Sequence, residues 1–229
     1  MDLKRHNSFR LVHKGLRLLM YSTATRLQQA NLASRSDGSA VMEQVQLVLN
    51  LFESHAHGED HYFNEPLEKI NPDVSTLFQK EHEEDHRLSA VLHDQLKAWF
   101  DARRDEDREI IGNRIFYTFN EFVAFNLYHM NKEETMLNQA LWNAYSDEQI
   151  RSIEQELVKN IPPAKMMSYA KWIFGGINDA EATEWLTGIQ MNAPAEVFSA
   201  FKQVAAQTLP PERWESIQAN LEKVRVSVA

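Results

Sequence analysis

All nine histidines of this 229-residue chain fall within residues 1–129, and several stand one helical turn from another histidine or an acid. His55 and Glu59, His82 and His86, and His129 and Glu133 are each four residues apart. That spacing puts both side chains of a pair on one face of a helix. The pairs also continue apolar stripes. His55 and Glu59 follow Val45, Val48 and Phe52; His82 and His86 share a face with Phe78 and Ser89; His129 and Glu133 follow Phe122 and Asn126 and precede Met136 and Ala140. His13 sits between Phe9 and Leu16. Burying five imidazoles and two carboxylates at one level is costly unless each is satisfied. Mutual hydrogen bonds serve so many groups poorly, whereas a pair of metal ions satisfies them together. The chain has no cysteine, which excludes disulfides, iron–sulfur clusters and thiolate zinc sites. Imidazole and carboxylate without sulfur suit iron, manganese or zinc.

The remaining histidines read differently. His57 and His61 also stand four apart but lie near Asn50, Glu53 and Asn64, on the polar side of their helix. They are expected to be solvated. His93 lies on the inward stripe, two turns from His86, and is read as held by hydrogen bonds in the core or beside the site. His6, one heptad before His13, is the weaker candidate on its segment, and Glu134 competes with its neighbour Glu133.

Four long segments with helical periodicity must carry these residues, at about 3–32, 40–65, 74–100 and 110–143. The turn Ser34–Ser39, the prolines at 66 and 72, and the charged run 101–109 separate them. Helices of roughly 25–33 residues with short connections pack as antiparallel neighbours. At ~1.5 Å of rise per residue the candidate ligands reach a common depth. The fold is therefore expected to be all-α, with an up-down-up-down four-helix bundle over residues 1–145. From Ser146 prolines punctuate shorter amphipathic pieces, near 147–160, 164–176, 179–191, 195–208 and 211–225, with Trp172, Trp185, Phe198, Phe201 and Trp214 as their apolar anchors. Residues 146–229 are read as a C-terminal helical appendage without metal chemistry, offering a surface to a second copy or another protein.

Composition narrows the function classes. Hydrophobic residues make up 43% of the chain, enough for a sizeable core, and seven glycines and seven prolines are few. A net charge of −9 argues against nucleic acid as a partner. No apolar run reaches the ~18 residues of a membrane span. The basic residues at positions 4, 5, 10, 14 and 17 repeat the pattern of the later helices and are read as part of the first one. A cytoplasmic location is the default expectation.

The run His55-Ala56-His57-Gly58-Glu59-Asp60, the pair Glu81-His82, and His129-Met130-Asn131-Lys132-Glu133-Glu134 resemble the hemerythrin family in its bacterial HHE cation-binding branch. Val12-His13-Lys14-Gly15-Leu16-Arg17 is similar to that branch's first helix, so the likeness covers about residues 5–143. The resemblance implies a non-heme di-iron centre, two iron ions held by His13, His55, Glu59, His82, His86, His129 and Glu133. It also implies a small diatomic ligand: binding, sensing or reduction of O2, peroxide or nitric oxide. Iron storage without catalysis, or a helical interaction module with a structural metal site, are the competing readings. An open iron position is expected beside a dry pocket of Phe52, Phe78, Phe122 and Met136.

Overall fold

A computed structural model describes residues 5–228, and every regular element in them is helical. None of these helices is long and apolar enough to cross a membrane. Helix α1 spans Arg10–Gln29, and Asn7 Oδ1 accepts from the backbone N–H of Phe9 and Arg10 at its start. Helix α2, Arg35–Tyr62, is capped by Ser34, whose side chain accepts from the Asp37 N–H. Helix α3, Asn64–Ile70, follows at once. Pro66 therefore lies in the first turn of α3, where a missing N–H costs nothing.

Asn71 caps α4, Pro72–Asp101, and Pro72 occupies its first turn. Helix α5, Asp105–Lys132, begins inside the charged run that the sequence suggested as a connection. Asp105, Glu106 and Asp107 fill its first turn, where acidic side chains meet the positive end of the helix dipole. After Lys132 the helix widens into a π turn, Glu133–Leu137, and resumes as α6, Asn138–Ala144. Such turns shift the register of whatever follows. Leu137 is buried here and Met136 is 43% exposed.

The chain divides into two compact units. The first comprises the residues through Arg10 together with Leu19–Asn160. In it α4 lies against α2, α3 and α5. The packing division falls after α7, Asp147–Lys159. The cause is apolar: Ile150 joins a core with Phe9, Phe63, Leu67, Phe78, Leu141 and Trp142, and Ile153 and Leu157 pack onto it. Arg5 reinforces this end, bonding Asp147 and the carbonyls of Trp142 and Tyr145.

The second unit comprises Leu11–Leu18 of α1 and the residues from Ile161 onward. It contains α8 (Pro163–Gly176), α9 (Asp179–Asn192), α10 (Ala195–Thr208) and α11 (Pro211–Val228). Gly176 permits a close approach to α1, since a Cβ there would stand 2.6 Å from the Lys14 carbonyl oxygen. The core is made by Ile173, Phe174, Leu186, Phe201 and Ile217. Of the expected anchors only Phe201 is fully buried; Trp172, Trp185, Phe198 and Trp214 are half-buried.

Candidate metal centre

The inward face of α2 carries Glu59, 4% exposed, and beside it His55, whose Nε2 lies 3.1 Å from Glu59 Oε1. α4 contributes His82 and α5 contributes His129, both buried. The π turn contributes Glu133 as its first residue, and Glu133 is fully buried. His129 Nε2 stands 3.0 Å from Glu133 Oε1, and His82 Nε2 stands 3.5 Å from Glu59 Oε2 and 3.7 Å from Glu133 Oε1.

The outer nitrogens fix the rings. His82 Nδ1 donates to Asp60 Oδ1 at 2.7 Å, and His129 Nδ1 donates to Glu81 Oε2 at 2.9 Å. Glu81 also accepts from Lys132. Because these carboxylates accept and do not donate, each Nδ1 carries the proton. The Nε2 lone pair of each ring is thereby directed inward, the arrangement that orients metal-ligating imidazoles.

Two groups of ligand atoms result, each lying within 4.8 Å of one another. One is His13, His55, Glu59 and Glu133; the other is Glu59, His82, His129 and Glu133. Each group is two imidazoles and two carboxylates, and both use the same two carboxylates. Glu59 turns Oε1 toward His55 and Oε2 toward His82, so its two oxygens serve different groups. Ligands about 2.1 Å from a shared ion stand roughly 3.0–3.4 Å from each other. The separations of 3.0, 3.1, 3.5 and 3.7 Å are close to that range. Buried His and Glu groups that could hold a metal ion are therefore present.

Without an ion the imidazoles take up protons. Burial alone would depress His82, but the Asp60 hydrogen bond and the nearby Glu133 and Glu59 carboxylates outweigh it and push its pKa up to about 12. Burial likewise opposes charge on His129, and the Glu133 charge with bonds to Glu133 and Glu81 raises it to about 10. Glu81 is resisted by burial yet held below the usual carboxylate range by His129 and Lys132. The pocket is thus built for positive charge, supplied by protons or by a metal ion.

Not every candidate converges. His86 is exposed and belongs to neither group. The buried face of α4 runs Phe78, His82, Asp85, Ser89, Leu92, Leu96, in alternating steps of four and three, and this phase turns His86 outward and Asp85 inward. Asp85 is 2% exposed, and its Oδ1 accepts from Asn126 Nδ2 at 2.7 Å. Burial raises the Asp85 pKa, against the hydrogen bond from Asn126. His93 follows the same phase: it is half-buried between Gln46 and Glu53, not on the inward stripe. His57 and His61 are exposed. His6 is bound to Glu154 at 2.5 Å, and Glu134 is half-buried and in neither group. Of the expected pocket, Phe52, Phe78 and Phe122 are buried, with Phe78 edge-on to His129; Met136 faces outward.

The sequence did not single out Asp85, and it showed Asp60, Glu81 and Asn126 only as neighbours of the candidate ligands, without roles. Asp85 had a signal, standing one heptad before Leu92; Asp60 and Glu81 are distinguishable only by the rings they hold. Comparison with protein-family models, with curated proteins and with solved structures returns no match for this chain.

Proposed function

We propose that this chain is a hemerythrin-like, non-heme di-iron protein that binds O2 or another small diatomic molecule, with α1, α2, α4 and α5 as the members of a four-helix bundle. The observation that carries the reading is the sharing of Glu59 and Glu133 between two groups of two histidines. Carboxylates with one oxygen for each neighbour are what a pair of ions requires, and a single ion would leave two of the four imidazoles without a role. An all-imidazole and carboxylate set suits non-heme iron. Bound iron would supply a redox-active Lewis acid.

His13, His55, His82 and His129 would hold one pair of imidazoles on each ion, and Glu59 and Glu133 would bridge. That leaves each ion four protein ligands. A six-coordinate iron then keeps about two further positions, and open positions separate reactive from structural sites. Phe78 and Phe122 beside His129 and Asn126 make the surroundings largely apolar. Such surroundings favour a small uncharged ligand over a charged one.

The test is the visible spectrum of the iron-loaded protein during titration with nitric oxide, an uncharged diatomic. A change that saturates at a fixed ratio of ligand to centre supports the reading. A spectrum unmoved by saturating ligand sinks it and favours iron storage or a structural role.

A further inference from the structure

The solvent side of α2 carries a second arrangement of histidines that the buried centre does not use. His57 and His61 are both exposed, their rings 13° from parallel with centroids 6.3 Å apart. Among the described residues neither ring is engaged in a hydrogen bond; their contacts are with each other and, for His61, the edge of Tyr62 at 4.7 Å. Two residues along a helix is a rotation of about 200°, so both point away from Glu59 across the width of α2. The nearest carboxylates at the same spacing are committed elsewhere: Glu53 to His93 at 2.7 Å and Glu65 to Lys69 at 2.6 Å.

We propose that His57 and His61 form a separate, solvent-facing site for a divalent transition ion of the zinc, nickel or copper class. Histidines four apart on one helical face converge on a single ion. Imidazole selects these metals over calcium and magnesium, which take oxygen ligands. α2 is continuous to Tyr62, so the two Cα positions are set before an ion arrives, which lowers the ordering cost of binding. To share an ion the rings must tilt until their nitrogens are roughly 3–3.4 Å apart. Both rings are exposed, so that motion gives up the ring stacking and the Tyr62 contact and otherwise displaces water, which completes the ion's shell. The protein's net charge of −9 favours the approach of a cation.

The experiment is calorimetric titration of the full-length protein, as purified, with Ni²⁺, alongside elemental analysis of the metal it already carries. The wild type takes up one saturable equivalent of Ni²⁺. His57→Ala and His61→Ala each abolish that uptake and leave the metal already carried unchanged. The proposal is overturned if the wild type shows no saturable uptake, if either variant retains it, or if the variants lose the metal already carried. If the protein carries no metal as purified, the surface site is read from the equivalent that the wild type takes up and both variants lose, so failure of the di-iron reading leaves this test intact.

Discussion

Stripping the metal should make folding stability fall steeply as pH rises above neutrality. In the metal-free protein His82 holds a proton up to about pH 12 and His129 up to about pH 10. In the unfolded chain both let go near the ordinary histidine value of about 6.5. The folded-state pKa values are raised, so the stability these protons contribute is complete below about pH 6.5 and is lost as pH climbs toward the folded values. Between pH 7 and 9 the native state holds up to two protons that the unfolded state has released. Each corresponds to about 1.4 kcal/mol per pH unit, so the pair reaches at most about 2.7. The rings share Glu133, and partial sharing brings the expected loss to roughly 1.5–2.5 kcal/mol per unit, a large part of a typical 5–15 kcal/mol total. With metal bound the rings are neutral ligands and this slope disappears. Urea unfolding at pH 7, 8 and 9, with and without chelator, reads both curves. A chelated protein whose midpoint is flat or rises over that range refutes the reasoning.

Two further outcomes separate residues that lie close together in sequence. His55→Ala removes a ligand and leaves Glu59 buried beside a gap, so metal content drops and the protein loses about 1–3 kcal/mol of stability, whereas exposed His57→Ala changes stability by less than about 0.5 kcal/mol; equal effects in elemental analysis and thermal melts would mean α2 is rotated from the placement given. Asp85→Ala takes one of its two acceptors from the buried Asn126 amide, leaving the Phe122 carbonyl, and costs about 1–3 kcal/mol, while His86→Ala leaves metal content and melting temperature unchanged; metal loss in His86→Ala would restore His86 as a ligand.

The long helices and the inward faces of α2 and α5 were legible because apolar residues bracket each ligand: Phe52 before His55, and Phe122 before His129. α4 was harder. Phe78, Leu92 and Leu96 fix its stripe, but a His-x-x-x-His pair draws the eye to His86, and only the alternation of three and four picks out Asp85. The π turn left no pattern in the sequence, so the outward turn of Met136 could not be read. The start of α5 was hidden because Asp105, Glu106 and Asp107 resemble a solvated loop, although acids are favoured in a first turn. α7 reads as part of a separate appendage by its texture, yet Ile150 joins the buried cluster of Phe9, Phe63 and Trp142, a tertiary match that no local pattern encodes. The ring-holding roles of Asp60 and Glu81 likewise depend on helices meeting across space.

The central claim is a pair of ions held between four histidines and two shared glutamates. Anaerobic reconstitution of the full-length protein with ferrous iron, removal of excess, and measurement of iron per chain tests it most directly. The account predicts about two irons per chain, falling well below two in Glu59→Ala, because Glu59 offers one oxygen to each group. Fewer than one iron in folded, reconstituted protein, or a ratio near two that survives Glu59→Ala, would contradict it.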